Sequence, residues 1–220
     1  MAPTPKITFE QVEQKRRAFA KILREFSNQK GRYHNRAPEL PAHKLAECQI
    51  LPNRLMLLDK VAKGGVMAEV GVDTGDFSYE IIQRCEPDKL HLFDIDNTRL
   101  KNKTVLAALA DGTGHLEMHV GDSSTNMSKM PDAFFDMIYI DADHQYEGVV
   151  KDINAALPKL KPRGVLIFND YTVWSASSMF HCGVARAVNE LCLREPWKFR
   201  YMAMQGMLYN DVMLVRDDGQ

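Results

Sequence analysis

Glu69-Val-Gly71-Val-Asp73-Thr-Gly75-Asp76-Phe77-Ser78 is the stretch that decides the fold. It follows the apolar run Val66–Val70 and leads into a helical pattern, so it reads as the turn from a buried strand into a helix. Glycines at such a turn permit a sharp reversal and let a ligand approach the backbone. The helix beyond it offers free N–H groups, which favour an anion. Without a ligand, the same residues describe a capped turn, with Asp76 as the helix N-cap.

Outward from this turn the pattern repeats. The apolar runs Leu90–Phe93, Leu116–Val120, Phe134–Ile140 and Val165–Phe168 alternate with helical stretches near Ser78–Arg84, Thr98–Ala110 and Tyr146–Leu160. The alternation predicts βαβ units in an α/β fold, with a Rossmann-like, doubly wound and mostly parallel sheet. Near the end, Phe199–Met204 and Val212–Val215 predict an antiparallel pair at one sheet edge. Upstream, Leu51–Ala62 predicts a short helix closed by Gly64 and Gly65, and residues 28–44 a polar loop. Thr8 and Gln11 have capping-box spacing, and Val12, Phe19, Ile22, Leu23 and Phe26 share one face of a first helix. The expected division is an N-terminal helical cap over residues 1–60 and a ligand-binding domain over 61–220.

With 220 residues, 45% hydrophobic and 26% charged, the chain suits one globular domain with decoration. A formal net charge of −1 gives no basic excess for phosphates, which argues against a nucleic-acid partner. Cys48, Cys85, Cys182 and Cys192 form no CxxC pair and read as scattered reduced thiols. No apolar run approaches a membrane span, and Met1–Glu10 has no signal core, so a cytoplasmic protein without a membrane partner is expected. The amphipathic first helix is consistent with a homodimer.

The charge of the turn selects its ligand. Glu69, Asp73 and Asp76 would repel a dinucleotide pyrophosphate, and the G-x-G-x-x-G fingerprint is absent. S-adenosylmethionine (SAM) carries an ammonium and a sulfonium beside one carboxylate, so acids and backbone N–H groups both find partners. SAM is therefore favoured over NAD. Asp94 ends the second strand about 20 residues past the glycines, where an acid takes ribose hydroxyls, with Asp96 as a substitute. Asp122, after the third strand, can accept from an adenine amino group. The predicted cofactor contacts are Glu69, Gly71, Val72, Thr74, Gly75, Ser78, Asp94, Ile95, Asp122, Ser123 and Asp141.

A second cluster ends strands four and five. Asp141-Ala-Asp143-His144-Gln-Tyr146 and Asn169-Asp170-Tyr171 should converge at the rim, since these strands are expected to be parallel neighbours. Asp141, Asn169 and Asp170 are hard oxygen donors that suit Mg²⁺ or a similar cation. His144 beside them suits a general base. Tyr171 and Trp174 could line an acceptor pocket, with core packing an equal reading for Trp174. Arg32, His34 and Arg36 could reach an anionic acceptor, a lesser reading than a plain loop. His181 and the methionines from Met202 to Met213 read as packing. The chemistry expected is methyl transfer from SAM to a hydroxyl of a small molecule, with Asp141 and His144 catalytic. The alternatives are a metal-independent O- or N-methyltransferase, a SAM-binding module without turnover and, more distantly, a nicotinamide enzyme.

The stretches Glu69–Ser78, Phe93–Asp96, Ile140–Asp152 and Leu160–Tyr171 resemble the small class I O-methyltransferases. They are most similar to the branch with Asp-x-Asp-His-x-Tyr after strand four, which includes macrolide-sugar O-methyltransferases and is related to the catechol and caffeoyl-CoA types. The resemblance implies a seven-stranded sheet of order 3-2-1-4-5-7-6 with strand seven antiparallel. It also implies SAM contacts at Glu69, Gly71, Asp94 and Asp122, metal ligands at Asp141, Asn169 and Asp170, and a base at His144. Two positions depart from the family pattern: the acid pair after strand five is Asn169-Asp170, and Asp73 replaces the second glycine of the turn.

Overall fold

The computed structural model describes residues 7–30, 36–206 and 209–217. The chain divides into two compact units, Met1–Arg36 and Ala37–Gln220. Among its described residues the first holds the helix α1 (Phe9–Lys30). Its start is the expected capping box: Thr8 N–H donates to Gln11 Oε1 and Gln11 N–H to Thr8 Oγ1, at 2.9 and 3.3 Å.

The second unit opens with a strand that the sequence pattern did not show, β1 (Gln49–Leu51). Pro52 ends it, and Asn53 caps the short helix α2 (Arg54–Leu58) by accepting from Met56 N–H at 3.0 Å. The helix expected over Leu51–Ala62 is thus five residues long. Strict alternation follows: β2 (Val66–Val70), α3 (Asp76–Cys85), β3 (Lys89–Asp94), α4 (Lys103–Ala110), β4 (Leu116–Val120), α5 (Ser123–Ser128), β5 (Phe135–Ile140), α6 (Tyr146–Ala156) and β6 (Leu160–Phe168). A small hairpin, β7 (Trp174–Ser175) and β8 (Phe180–His181), precedes α7 (Val184–Arg194), β9 (Trp197–Met204) and β10 (Asn210–Arg216).

The main sheet runs β1-β9-β10-β6-β5-β2-β3-β4. Strands β4, β3, β2, β5 and β6 are parallel neighbours, and β10 lies antiparallel to β6 and β9. From β2 onward this is the expected order 3-2-1-4-5-7-6. Two corrections apply. The sheet has eight strands rather than seven, and the terminal pair is not its edge, because β1 adds in parallel outside β9, Gln49 opposite Tyr201. Three residues are too few to show a two-residue alternation, and Ile50 is left 60% exposed.

Helices α5, α6 and α7 cover one face through residues such as Met127, Ile153 and Val188, and α2, α3 and α4 cover the other through Leu57, Ile81 and Val105. The parallel strands are therefore buried on both sides and read as continuous apolar runs. Strand β2 has β3 on one side and β5 on the other, so chain direction reverses there and a crevice opens beyond the carboxyl ends of β2 and β5. All four cysteines are free thiols. No helix among the described residues is long and apolar enough to cross a membrane.

Candidate active site

The turn after β2 is held by the acid that ends β3. Asp94 Oδ2 accepts the N–H groups of Val72 and Asp73 at 2.7 and 3.0 Å, and Gly71 N–H donates to the Phe93 carbonyl at 2.8 Å. Gly71 has φ +91° and lies against the next strand. A Cβ there would sit 2.5 Å from the Asp141 carbonyl carbon and 2.8 Å from Ala142 Cα. Asp73 keeps the left-handed conformation that glycine holds at φ +50°, and its carboxylate pairs with Arg99 at 2.8 Å. Aspartate is among the few residues that tolerate that region. Gly75, not Asp76, is the N-cap of α3, and Asp76 instead ties the turn together through Thr74 Oγ1 and Asn102 Nδ2.

Beyond the turn lies a cleft of about 860 Å³. Of the predicted cofactor contacts, Glu69, Gly71, Val72, Thr74, Asp94, Ile95, Asp122, Ser123 and Asp141 line it. Gly75 and Ser78 do not. Gly75 packs toward Leu100, and Ser78 is buried beneath the turn, its hydroxyl donating to Glu69 Oε2. Burial pushes the Glu69 carboxyl up to about 8, against the Ser78 hydrogen bond. Asp122 caps α5: its Oδ1 accepts from Thr125 N–H, Thr125 Oγ1 and Ser124 Oγ, and Oδ2 from Lys151 at 2.7 Å. Those donors, Lys151 foremost, hold its pKa far below the ordinary carboxylate value. An adenine amino group there would share Oδ2 with Lys151.

The cleft contains three cations, Arg54, Arg99 and Lys151. Arg99 and Lys151 are paired with Asp73 and Asp122. Arg54, from α2, lies with its guanidinium 4.4 Å from the centre of the Phe77 ring; burial opposes its charge, but Tyr139, Asp211 and Asp141 nearby raise its pKa overall. Sequence reasoning passed over Arg54 because it precedes the βαβ alternation and belongs to no motif.

At the rim, the ends of β5 and β6 meet as expected. His144 Nε2 lies 3.5 Å from both Asp141 Oδ1 and Asp170 Oδ2. Neither contact is aligned as a hydrogen bond, and this buried nitrogen has no hydrogen-bond partner. The approach of Asp141 raises the His144 pKa while burial opposes the rise. Asp170, in the left-handed region at φ +52°, has its own pKa raised, by burial first. Asp141 also lines the cleft, so it joins the rim to the cofactor crevice.

Asn169 faces another way than a rim ligand would. It is 4% exposed, and its Nδ2 donates to Asp211 Oδ1 and to Tyr139 Oη at 3.2 and 3.3 Å. Only its amide oxygen remains to accept a hydrogen bond or ligate a cation at the rim. Asp211 and Tyr139 form a buried pair at 2.6 Å, and burial pushes the Asp211 carboxyl up to about 7. Asp143 accepts from Gln145 N–H at 2.9 Å and packs on Gly148, where a Cβ would lie 2.5 Å from its Cγ. Tyr146 joins α6 to α7 through Glu190 at 2.5 Å, under the Arg186 guanidinium.

A family model described as a methyltransferase domain matches residues 68–171, which include this turn, the rim and the cleft lining except Arg54. Residues 68–171 are thus similar to a methyltransferase domain. Solved structures agree in fold. A Corynebacterium glutamicum protein is 13% identical with TM-score 0.56, covering 92% of this chain and 91% of its own. A putative rRNA methylase from Clostridium thermocellum is 11% identical with TM-score 0.57, covering 76% and 95%. The pyocyanin biosynthetic protein PhzM is 14% identical with TM-score 0.51, covering 70% of this chain, which spans about half (51%) of PhzM. None of the curated sequences compared with the chain matches it.

The cleft and rim thus gather most of the predicted residues, but not the acceptor pair. Tyr171 turns into the core, edge-on to Phe199 at 5.4 Å, and donates to Asn189 Oδ1 at 2.7 Å. Trp174 is 37% exposed on β7, edge-on to His181 at 5.5 Å. Neither lines the cleft. Met213 is buried in the core and Met204 is half exposed. Arg32, His34 and Met207 lie outside the described residues.

Proposed function

We propose that this domain transfers the SAM methyl group to a hydroxyl of a small molecule, with His144 as the general base. The observation that carries the proposal is the double role of Asp141, which lines the cofactor cleft and lies 3.5 Å from His144 Nε2. A base placed there is within one residue of the methyl donor. The acidic wall of the cleft supports a small acceptor, because it would repel a phosphate backbone.

The turn receives the ammonium and sulfonium side of SAM, whose positive charge would draw the neighbouring Glu69 carboxyl toward its ionised form. Arg54, which lines the cleft, receives the methionine carboxylate. Asp94 Oδ2 is committed to the turn, while Oδ1 accepts only from Asp96 N–H at 3.3 Å and keeps capacity for a ribose hydroxyl. In the reaction the acceptor oxygen forms a bond to the methyl carbon as the carbon–sulfur bond breaks. Sulfur keeps that electron pair and leaves as a neutral thioether, and the hydroxyl proton passes to His144. Carboxylates on two sides strengthen the imidazole as a base and stabilise the imidazolium it becomes. Much of the rate gain comes from holding oxygen and methyl carbon aligned.

The rim donors fit a hard divalent cation: two carboxylates flank a buried imidazole nitrogen that lacks a hydrogen-bond partner, and the Asn169 oxygen is free of the interior pair. Asp141, Asp170 and Asn169 would hold the ion, which when bound would stabilise an ionised hydroxyl.

Calorimetry with S-adenosylhomocysteine and NAD, followed by methyl transfer to catechols, flavonoids, sugars and tRNA with and without EDTA, tests the proposal. Binding of S-adenosylhomocysteine alone and transfer to one of the small hydroxyl compounds are expected. His144→Ala should lower turnover by on the order of 10²–10⁴. Asp141→Ala should abolish turnover and leave SAM affinity within a few-fold. Near-normal turnover in His144→Ala removes the base, and methylation of tRNA alone overturns the acceptor class.

A further inference from the structure

Away from the cleft, on the sheet face covered by α5 and α6, three side chains with metal-ligating atoms converge on the last two strands. His91 on β3 is directly opposite Glu117 on β4, and His119 is one step further along the same face. His91 Nδ1 lies 2.9 Å from His119 Nε2, and the two Glu117 oxygens lie 3.9 and 3.7 Å from those nitrogens. One donor atom from each of the three lies within 4.8 Å of the others.

We propose that His91, Glu117 and His119 form a binding site for a divalent transition metal of the Zn²⁺ class, which clamps β3 to the edge strand β4. Two imidazoles and one carboxylate are the donor set that such an ion prefers over Mg²⁺, with water in the fourth position. At zinc–nitrogen bonds of about 2.0–2.1 Å, tetrahedral geometry separates two ligand nitrogens by about 3.3 Å. The pair at 2.9 Å needs to open by a few tenths of an ångström, and the carboxylate, 3.7 and 3.9 Å from the two nitrogens through different oxygens, to swing in by about half an ångström.

The surroundings choose the nitrogens. His91 is 2% exposed and its Nε2 has no hydrogen-bond partner. The rings of Phe134 and Phe135 cross it at 5.6 and 5.5 Å, nearly perpendicular. Its other nitrogen, Nδ1, is thereby the one turned toward His119. His119 stacks on Phe93 at 4.5 Å, which fixes its plane. Glu117 is exposed and His119 half-buried, which gives an ion a path from solvent. Lys89 opposes the site, since its ammonium pairs with Glu117 Oε2 at 2.6 Å. Oε1, the oxygen nearer His119, is outside that ion pair.

The test is a titration of the untagged, chelator-stripped full chain with Co²⁺ and Zn²⁺. One Co²⁺ with nitrogen-ligand visible bands, distinct from any Co²⁺ held by the oxygen donors of the rim, and a raised melting temperature with Zn²⁺ are expected. His119→Gln and Glu117→Gln should each weaken binding at least about tenfold. Asp170→Asn, at the catalytic rim, should leave the bands in place. Lys89→Gln should tighten binding, because a competing charge is gone. Glu117→Gln alters an exposed side chain, so it remains a test if the histidine variant does not fold. Binding unchanged in Glu117→Gln, bands lost in Asp170→Asn, or no Co²⁺ binding by the wild type would each overturn the proposal.

Discussion

Replacing Gly71 by alanine separates two costs that the structure keeps distinct. At φ +91° an L-residue costs about 1–2 kcal/mol. The new Cβ would also fall 2.5 Å from the Asp141 carbonyl carbon and 2.8 Å from Ala142 Cα. Both are backbone atoms that no rotamer change can move, and relief by backbone shift adds about 1–3 kcal/mol. The sum is about 2–5 kcal/mol. Gly112 supplies the control, because it has φ +69° with nothing within 4 Å of an added Cβ. Gly112→Ala should therefore cost only the conformational part, about 1–2 kcal/mol. Urea unfolding measures both variants, and equal m-values make the comparison valid. Because Gly71 meets Asp141, the β2 turn can only move by parting from the rim. S-adenosylhomocysteine affinity should drop at least about tenfold in Gly71→Ala, or about 1.4 kcal/mol, and not in Gly112→Ala. If the two variants lose equal stability and both keep normal affinity, the close approach of turn and rim has no energetic meaning.

Glu69 gives a pH dependence with a definite sign. Its folded pKa, about 8, lies above its ordinary 4.5, so the stability from burying the neutral acid is complete below 4.5 and is lost as pH rises through 8. Between pH 5 and 8 the wild type should lose up to about 4 kcal/mol more than Glu69→Gln, and parallel pH profiles would disprove this. Tyr139→Phe removes the hydroxyl shared by Asp211 and Asn169 and should cost about 1–3 kcal/mol in urea unfolding; a neutral result would mean that the pair adds nothing. Arg54→Gln should weaken S-adenosylhomocysteine about tenfold, as loss of a charge-assisted hydrogen bond would. Methylthioadenosine, which has no carboxylate, should bind as before, and equal losses for both ligands would remove Arg54 from carboxylate recognition.

The element pattern from β2 to β6 was legible because both sheet faces are covered, so each strand is a short apolar run and each helix carries one apolar stripe. Helix boundaries were less so. The stretch begun at Thr98 becomes helical only at Lys103, since Lys101 and Asn102 N–H bond to the Thr74 carbonyl and the Asn102 side chain then caps α4. Helix α5, Ser-Ser-Thr-Asn-Met-Ser, has no apolar period at all and starts on the Asp122 cap.

Taken by itself, the sequence determined the βαβ order, the turn at Gly71, the acids along the cleft and the meeting of Asp141, His144 and Asp170. Those follow from periodicity and from where parallel strands must end. Tertiary structure alone decided that Asn169 turns its amide nitrogen toward Asp211, that Tyr171 faces Phe199, that Arg54 enters the cleft, and that His91 meets His119. Each of these depends on a partner from a distant element, and a side chain's direction is chosen by the hydrogen bonds and packing it finds there, which no local pattern encodes.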